Sequence, residues 1–363
     1  MSKTKADLKD LLASYKEAVL YWSSAFENAE EFSGIQAAKV NKPLDELLKL
    51  AKLIKAHTTK VGIIFKPENL KKDANPAFTT LSKLSETLIL LVSVVVQLRP
   101  SEISQLYYDE LLKGIKQLMD SNKELSHELT LIFDSQNDEN TENTPSKDSD
   151  EMDKRLVSVG KIWSNCDVLI SMINNGALAL LTDKIKQSVL LIEDGFEEFA
   201  EWTENVEEID DDPFGFSDDE FSDEESEDDA HPPVAEDKDN KSEDDGENGE
   251  DVEELKKFAQ LWLKKIELVK LLISSFKKSL PLSTSGSSID SIYAIQFGLV
   301  KLIDKFIVDL MLDRTIDGEI EEYTGAITKE SVKLAKLARD IHAKNNKKAK
   351  WYEAWETKFR TGL

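Results

Sequence analysis

The sequence predicts an all-α protein, and three observations lead there. Apolar residues recur every three to four positions through nearly all of the chain outside its acidic stretches. Glycine and proline number only 14 and 9 in 363 residues, too few to punctuate a sandwich of many short strands. No repeat with a period of about 20–50 residues stands out, which argues against a solenoid. The length suits two or three compact units. The expected architecture is two antiparallel bundles, a four-helix one over 1–133 and a five-helix one over 154–363, the second interrupted by a disordered acidic insert at 207–250.

A first helix is expected from Ala6 to Phe32, with Leu8, Leu12, Tyr15, Val19, Trp22 and Phe26 on one stripe. A second begins near Asn41, with Pro43 inside its first turn, and carries Leu44, Leu47, Leu48, Ala51, Ile54 and Val61 toward Phe65. The stretch "KPENLKKDANP" then breaks the pattern. The third helix, Ala77 to Leu98, contains "LILLVSVVV", whose valines would also suit a strand; helix is preferred because no partner strand lies nearby. That run is roughly half of the ~20 residues that cross a bilayer, so it reads as core and no membrane association is expected. The charged start "MSKTKADLKDLLASYKEAV" does not look like a signal peptide. Pro100 and Ser101 reset the chain before a fourth helix with Ile103, Tyr107, Leu111, Ile115, Leu118, Leu125, Leu129 and Ile132.

Residues 134–153 hold no large apolar side chain before Met152 and read as a polar linker. Two helices follow, Leu156 to Ile173 and Ala177 to Val206, joined at "NNG", where Gly176 suits a helix stop. Beyond the acidic insert, helices are expected over Val252 to Leu280, Ile289 to Leu312 and Ile316 to Phe359, separated by "PLSTSGSS" and "DRT". The last has a break near Asn345 and Asn346.

The net charge of −25 is concentrated in one place. Residues 205–254 hold 25 Asp and Glu against Lys238 and Lys241, leaving the remainder with 46 acids and 44 bases. A near-neutral remainder lacks the cationic face that phosphate binding needs, so direct nucleic-acid binding is not expected. Cys166 is the single cysteine, which excludes an intrachain disulfide and a cysteine-based zinc cluster. The histidines at 57, 127, 231 and 342 are scattered. No P-loop, G-x-G-x-x-G or G-x-S-x-G occurs. Cys166, His57 and His127 therefore read as structural or surface residues, and neither an enzyme nor a cofactor or metal site is expected.

The acidic insert offers other chemistry. Ser217, Ser222, Ser226 and Ser242 are each followed by a run of acids, the preference of acidophilic kinases. Phe214, Phe216 and Phe221 are more aromatic than a plain tether needs; they would anchor in a partner's groove or fold back onto the helix ending at Trp202. At the other end, "HAKNNKKAKWYEAWETKFR" places Lys347, Lys348 and Lys350 in a short nuclear-import pattern beside Trp351, Tyr352 and Trp355. The competing reading is a helix end whose cations complement the dipole while the aromatics pack inward. Contact of this basic end with the acidic insert is a third reading.

Several stretches, "HTTKVGIIFKP", "VGKIWSNCDVL", "LLTDKIKQSVLLIEDGFEEF" leading to "DPFGFSDDE", and "SIDSIYAIQFGLVKLIDKF", resemble the cyclin-D-interacting protein family, inhibitory partners of helix-loop-helix transcription factors. The resemblance implies a non-enzymatic regulator of nucleus and cytoplasm that binds D-type cyclins or helix-loop-helix factors and restrains proliferation. A fungal-type member, in a cell without D-type cyclins, would keep only the role of a helical cell-cycle adaptor. The acidic insert is long for the family, and no leucine heptad is sustained. Two other classes are compatible with the composition: an acidic chaperone of basic clients such as histones, and a cytoskeletal adaptor built from helical bundles.

Overall fold

The computed structural model describes residues 3–27, 34, 35, 37, 39–135, 153–206 and 247–361. Of these, 87% are helical, and no strand occurs among the described residues. The chain divides into two compact units, Met1–Leu181 with Ser283–Asp290, and Thr182–Leu282 with Ser291–Leu363.

In the first unit, α1 (Lys5–Ala25) starts at a capping box, in which Thr4 and Asp7 satisfy each other's backbone amides. Leu8, Leu12, Tyr15 and Val19 bury the expected stripe. The helix stops at Ala25, short of the expected Phe32; residues 28–33 lie outside the described set. Helix α2 (Pro43–Ile64) has proline in its first turn with Asp45 and Glu46 beside the positive end of the dipole. The expected break after it holds a short helix, α3 (Pro67–Lys72), started by Pro67 and anchored by buried Leu70.

Helix α4 (Asn75–Val95) settles the strand alternative for the valine-rich run. It is long and apolar enough to cross a membrane, yet half of that window is buried inside the protein. Leu84, Leu88, Leu91, Val92 and Val95 form its core face. A single turn, α5 (Pro100–Ile103), leads through Ser104 into α6 (Gln105–Ser135). Inside the bundle, the Tyr15 hydroxyl donates to Asn122 Oδ1 at 2.9 Å, and Asn122 Nδ2 donates to the Leu118 carbonyl at 2.7 Å. This buried pair is satisfied, as a core polar pair must be.

Helix α7 (Lys154–Glu204) carries the expected break at Gly176, whose φ of 76° and ψ of 179° interrupt the helical backbone. Its first half places Val159, Ile162, Cys166 and Leu169 in the same core as α1, α2, α4 and α6. Lys55 of α2 pairs with Asp167 at 2.6 Å, and Lys161 pairs with Glu124 of α6 at 2.6 Å. To the four expected helices the first unit thus adds a fifth. The division by packing falls at Leu181, whereas the sequence suggests the polar stretch 134–153, most of which lies outside the described residues.

The second unit contains α7 beyond Leu181, α8 (Glu247–Ser279), α9 (Gly286–Asp313) from Ser291, α10 (Gly318–Ile341) and α11 (Asn346–Thr361). Asp317 caps α10, accepting from the amides of Glu319 at 3.0 Å and Ile320 at 2.9 Å. The core is aromatic: Phe199 lies edge-on to Phe306, which sits 5.2 Å from Trp262 between ring centroids. The expected break near Asn345 and Asn346 separates α10 from α11.

Candidate protein-interaction site

The three groups expected to be structural or on the surface differ in burial. Cys166 is fully buried in the first core. Burial, with Asp167 beside it, pushes its thiol up to about 12, so little thiolate exists at neutral pH. His127 is exposed, and burial chiefly holds His57 below its usual value. Among the described residues no group of three or more His, Cys, Asp or Glu could hold a metal ion.

The basic C-terminal stretch divides by side chain. Tyr352, Trp355 and Phe359 are the buried face of α11. The Trp355 indole N–H donates to the Leu268 carbonyl at 2.9 Å, and the Tyr352 hydroxyl lies 2.9 Å from both Ser275 Oγ and Ser279 Oγ. Lys348 Nζ donates to the Ser279 carbonyl at 2.6 Å, serving the end of α8 as a cation should. Lys347, Lys350 and Trp351 are exposed. Of the three lysines in the nuclear-import pattern, one is thus half-buried and engaged while two face solvent. Phe214, Phe216, Phe221, Ser217, Ser222, Ser226 and Ser242 lie outside the described residues.

Two surfaces among the described residues bear on partner binding. In the first unit, His57 of α2 lies beside Lys83 and Glu86 of α4. Leu53 of α2 and Ile89 and Leu90 of α4 lie on these two packed helices. Leu53, Ile89 and Leu90 are 46%, 46% and 55% exposed. Large apolar side chains grouped on neighbouring helices mark a contact surface more often than isolated ones do.

In the second unit, α10 and α11 flank a groove of about 660 Å³ lined by Lys329, Val332, Lys333, Lys336, Leu337, Asp340 and Arg360. Lys329, Lys333 and Lys336 follow i, i+4, i+7 spacing and share one face. Val332 is buried and Leu337 half-buried, giving an apolar floor under a basic rim. Lys333 pairs with Glu330 and Arg360 with Glu356, both within their own helices; the two basic side chains are largely exposed and the two carboxylates half-buried. Neither Lys329 nor Lys336 has an ion-pair partner among the described residues. The helical spacing of these lysines is legible in the sequence but is overshadowed by the denser run at 344–350.

Residues 46–205, which run from α2 to the end of α7, match the family described as "Grap2 and cyclin-D-interacting, N-terminal". This stretch is a domain of the cyclin-D-interacting family. The exposed apolar residues of α2 and α4 lie within the matched stretch. The whole chain is also similar to the uncharacterised Saccharomyces cerevisiae protein YLR287C, with 29% identity over 373 aligned positions covering 99% of this chain and 98% of the yeast protein. The alignment with YLR287C therefore extends beyond the stretch matched by the family.

Proposed function

We propose that the protein is a non-enzymatic adaptor of nucleus and cytoplasm that binds a D-type cyclin or a helix-loop-helix factor. The partner lays an amphipathic helix across α2 and α4, with Leu53, Ile89 and Leu90 as anchors. The observation that supports this most is the overlap of the family match with that exposed apolar face. The acidic insert steers the encounter, and phosphorylation by an acidophilic kinase at Ser217, Ser222, Ser226 and Ser242 tunes it by adding up to about two negative charges per site. Lys347 and Lys350 remain available for nuclear import.

The test is direct titration of the purified intact chain with a D-type cyclin and with a helix-loop-helix protein. Changing Leu53, Ile89 and Leu90 to lysine should weaken the bound partner by at least about tenfold, since buried apolar anchors are worth roughly 1.5–3 kcal/mol each. Absence of binding to both partners, or equal binding by the triple variant, would overturn the assignment. Removal of residues 207–250 should lower the association rate and its salt dependence, and an unchanged salt dependence would remove the steering role.

A further inference from the structure

We infer that the α10 and α11 groove is the docking surface for the chain's own acidic insert. The groove is a basic rim over an apolar floor. Residues 329–361, which supply it, hold ten basic side chains against four acidic ones in a chain whose total charge is −25. The complementary composition occurs between α7 and α8. Residues 207–246 carry twenty Asp and Glu against two Lys, with three phenylalanines interleaved.

Spacing favours the match. Lys329 and Lys333 are about 6 Å apart along the axis and Lys333 and Lys336 about 4.5 Å. Acids in "FSDDEFSDEESEDD" recur within every two or three residues, at about 3.3 Å per extended residue, so an acid falls within reach of each lysine without exact register. The phenylalanines, otherwise unexplained in so polar a stretch, would cover Val332 and Leu337.

Tethering favours the chain's own segment over an external one. Val206 and Glu247, which bracket the insert, belong to the same unit as the groove. Forty residues can span up to about 130 Å, against a radius of gyration of about 14 Å for a unit of this size. The insert therefore reaches any face of its own unit, and its effective concentration there is of millimolar order. Exposed ion pairs are individually weak, so docking depends on their number and weakens with salt. Phosphates at Ser217, Ser222 and Ser226 would tighten it. None of this depends on the identity of the partner proposed for α2 and α4.

The probe is a fluorescein-labelled peptide of residues 207–246, followed by fluorescence anisotropy. Three full-length proteins are compared: the intact chain, a chain whose insert has every Asp and Glu changed to Asn and Gln, and that neutralised chain with Lys329→Glu, Lys333→Glu and Lys336→Glu. The neutralised chain should bind the probe at least about tenfold more tightly than the intact chain, because its groove is vacant. That binding should fall between about 0.05 and 0.5 M salt and vanish in the lysine variant. All three lysines are exposed, so the folds should melt alike. If the charge reversals disturb folding, the milder Lys329→Gln, Lys336→Gln pair should still weaken the probe measurably. Equal probe affinity for the intact and neutralised chains would overturn the inference, as would failure of the neutralised chain to bind or unchanged binding by the lysine variants. Blocking of the probe only at concentrations where the intact chain dimerises in sedimentation would assign the groove to a second copy and also overturn it.

Discussion

An alanine at position 286 adds one methyl group where the first turn of α9 meets the start of α6. An ideal Cβ there would lie 2.8 Å from the Ser104 amide nitrogen and 3.1 Å from its Cα, and backbone cannot swing aside as a flexible side chain can. Ser104 is held in place. Its φ is 96°, its N–H donates to the Pro100 carbonyl at 2.8 Å, and its Oγ accepts from the Tyr107 amide at 3.1 Å. The α9 turn must therefore retreat and take Asp290 with it. The Asp290 carboxylate accepts from the amides of Gln105 at 2.8 Å and Leu106 at 3.0 Å, two of the donors that the start of α6 would otherwise leave unmet.

A capping side chain is worth about 0.5–2 kcal/mol, and a carboxylate at the positive end of a helix adds about 0.3–1 kcal/mol. Set against their loss is the gain of about 0.8–1 kcal/mol from replacing glycine by alanine in a helix. The losses total about 0.8–3 kcal/mol, so the expected net destabilisation of Gly286→Ala is about 0–2 kcal/mol. Hydrogen exchange read on peptides spanning 104–112 should accelerate by up to roughly 30-fold, since 1.4 kcal/mol corresponds to a factor of ten. Asp290→Ala should cost a similar amount, and the double variant little more than the larger single effect, because both act through one joint. The sign decides the matter: if Gly286→Ala stabilises the protein by about 0.5–1 kcal/mol and leaves exchange at Gln105 and Leu106 unchanged, the close approach does not exist.

His342 is buried, its ring parallel to that of Tyr352 at 5.6 Å with Lys348 nearby, and burial chiefly holds its pKa below the ordinary 6.5. The unfolded chain then takes up a proton that the folded one refuses, so the stability present above pH 6.5 is lost as pH falls through 6.5 toward the depressed folded value; His342→Phe should flatten that part of the urea midpoint plotted against pH. Tyr352→Phe removes the hydroxyl shared by Ser275 and Ser279 and should cost about 1–2 kcal/mol in thermal melts, while Trp355→Ala should cost about 3–5 kcal/mol. A Cβ at Gly62 would sit 3.1 Å from Val159 Cγ2, so Gly62→Ala should destabilise the first unit and Val159→Ala in the same chain should recover part of the loss. Recovery absent from the melts would mean that α7 does not close on α2 there.

Most of the fold was legible because each long helix carries its own apolar stripe. Leu8, Leu12, Tyr15 and Val19 in α1, or Leu111, Ile115, Leu118, Leu125 and Leu129 in α6, are spaced by helix geometry and buried accordingly. Gly176 and the Asn345, Asn346 pair marked real breaks because turn chemistry is local. Partner choice among helices was not legible. The stripe Val159, Ile162, Cys166, Leu169 says that the first half of α7 needs a core, and only the fit of Gly62, Lys55 and Glu124 says which one. The short helix at Pro67–Lys72 escaped because one turn has no period to detect. At the C-terminal end the sequence offers both a mixed basic and aromatic motif and a helix end with its aromatics packed inward, and Tyr352 and Trp355 face the core while Lys347 and Lys350 face water.

The family match ends at residue 205, one residue past the end of α7 at Glu204, and the groove of Lys329, Lys333 and Lys336 lies wholly outside it. Partner binding through α2 and α4 and docking of the insert through α10 and α11 thus rest on different residues and should separate experimentally. Reversing the three groove lysines frees the insert without touching Leu53, Ile89 or Leu90. If the freed insert then steers a partner, the association rate should rise for a basic partner and gain salt dependence, while the dissociation rate stays constant, because rim charges act on encounter and apolar anchors on residence. Stopped-flow association at two salt concentrations reads both rates. A change confined to the dissociation rate would mean that the groove itself touches the partner, and the two surfaces would have to be treated as one.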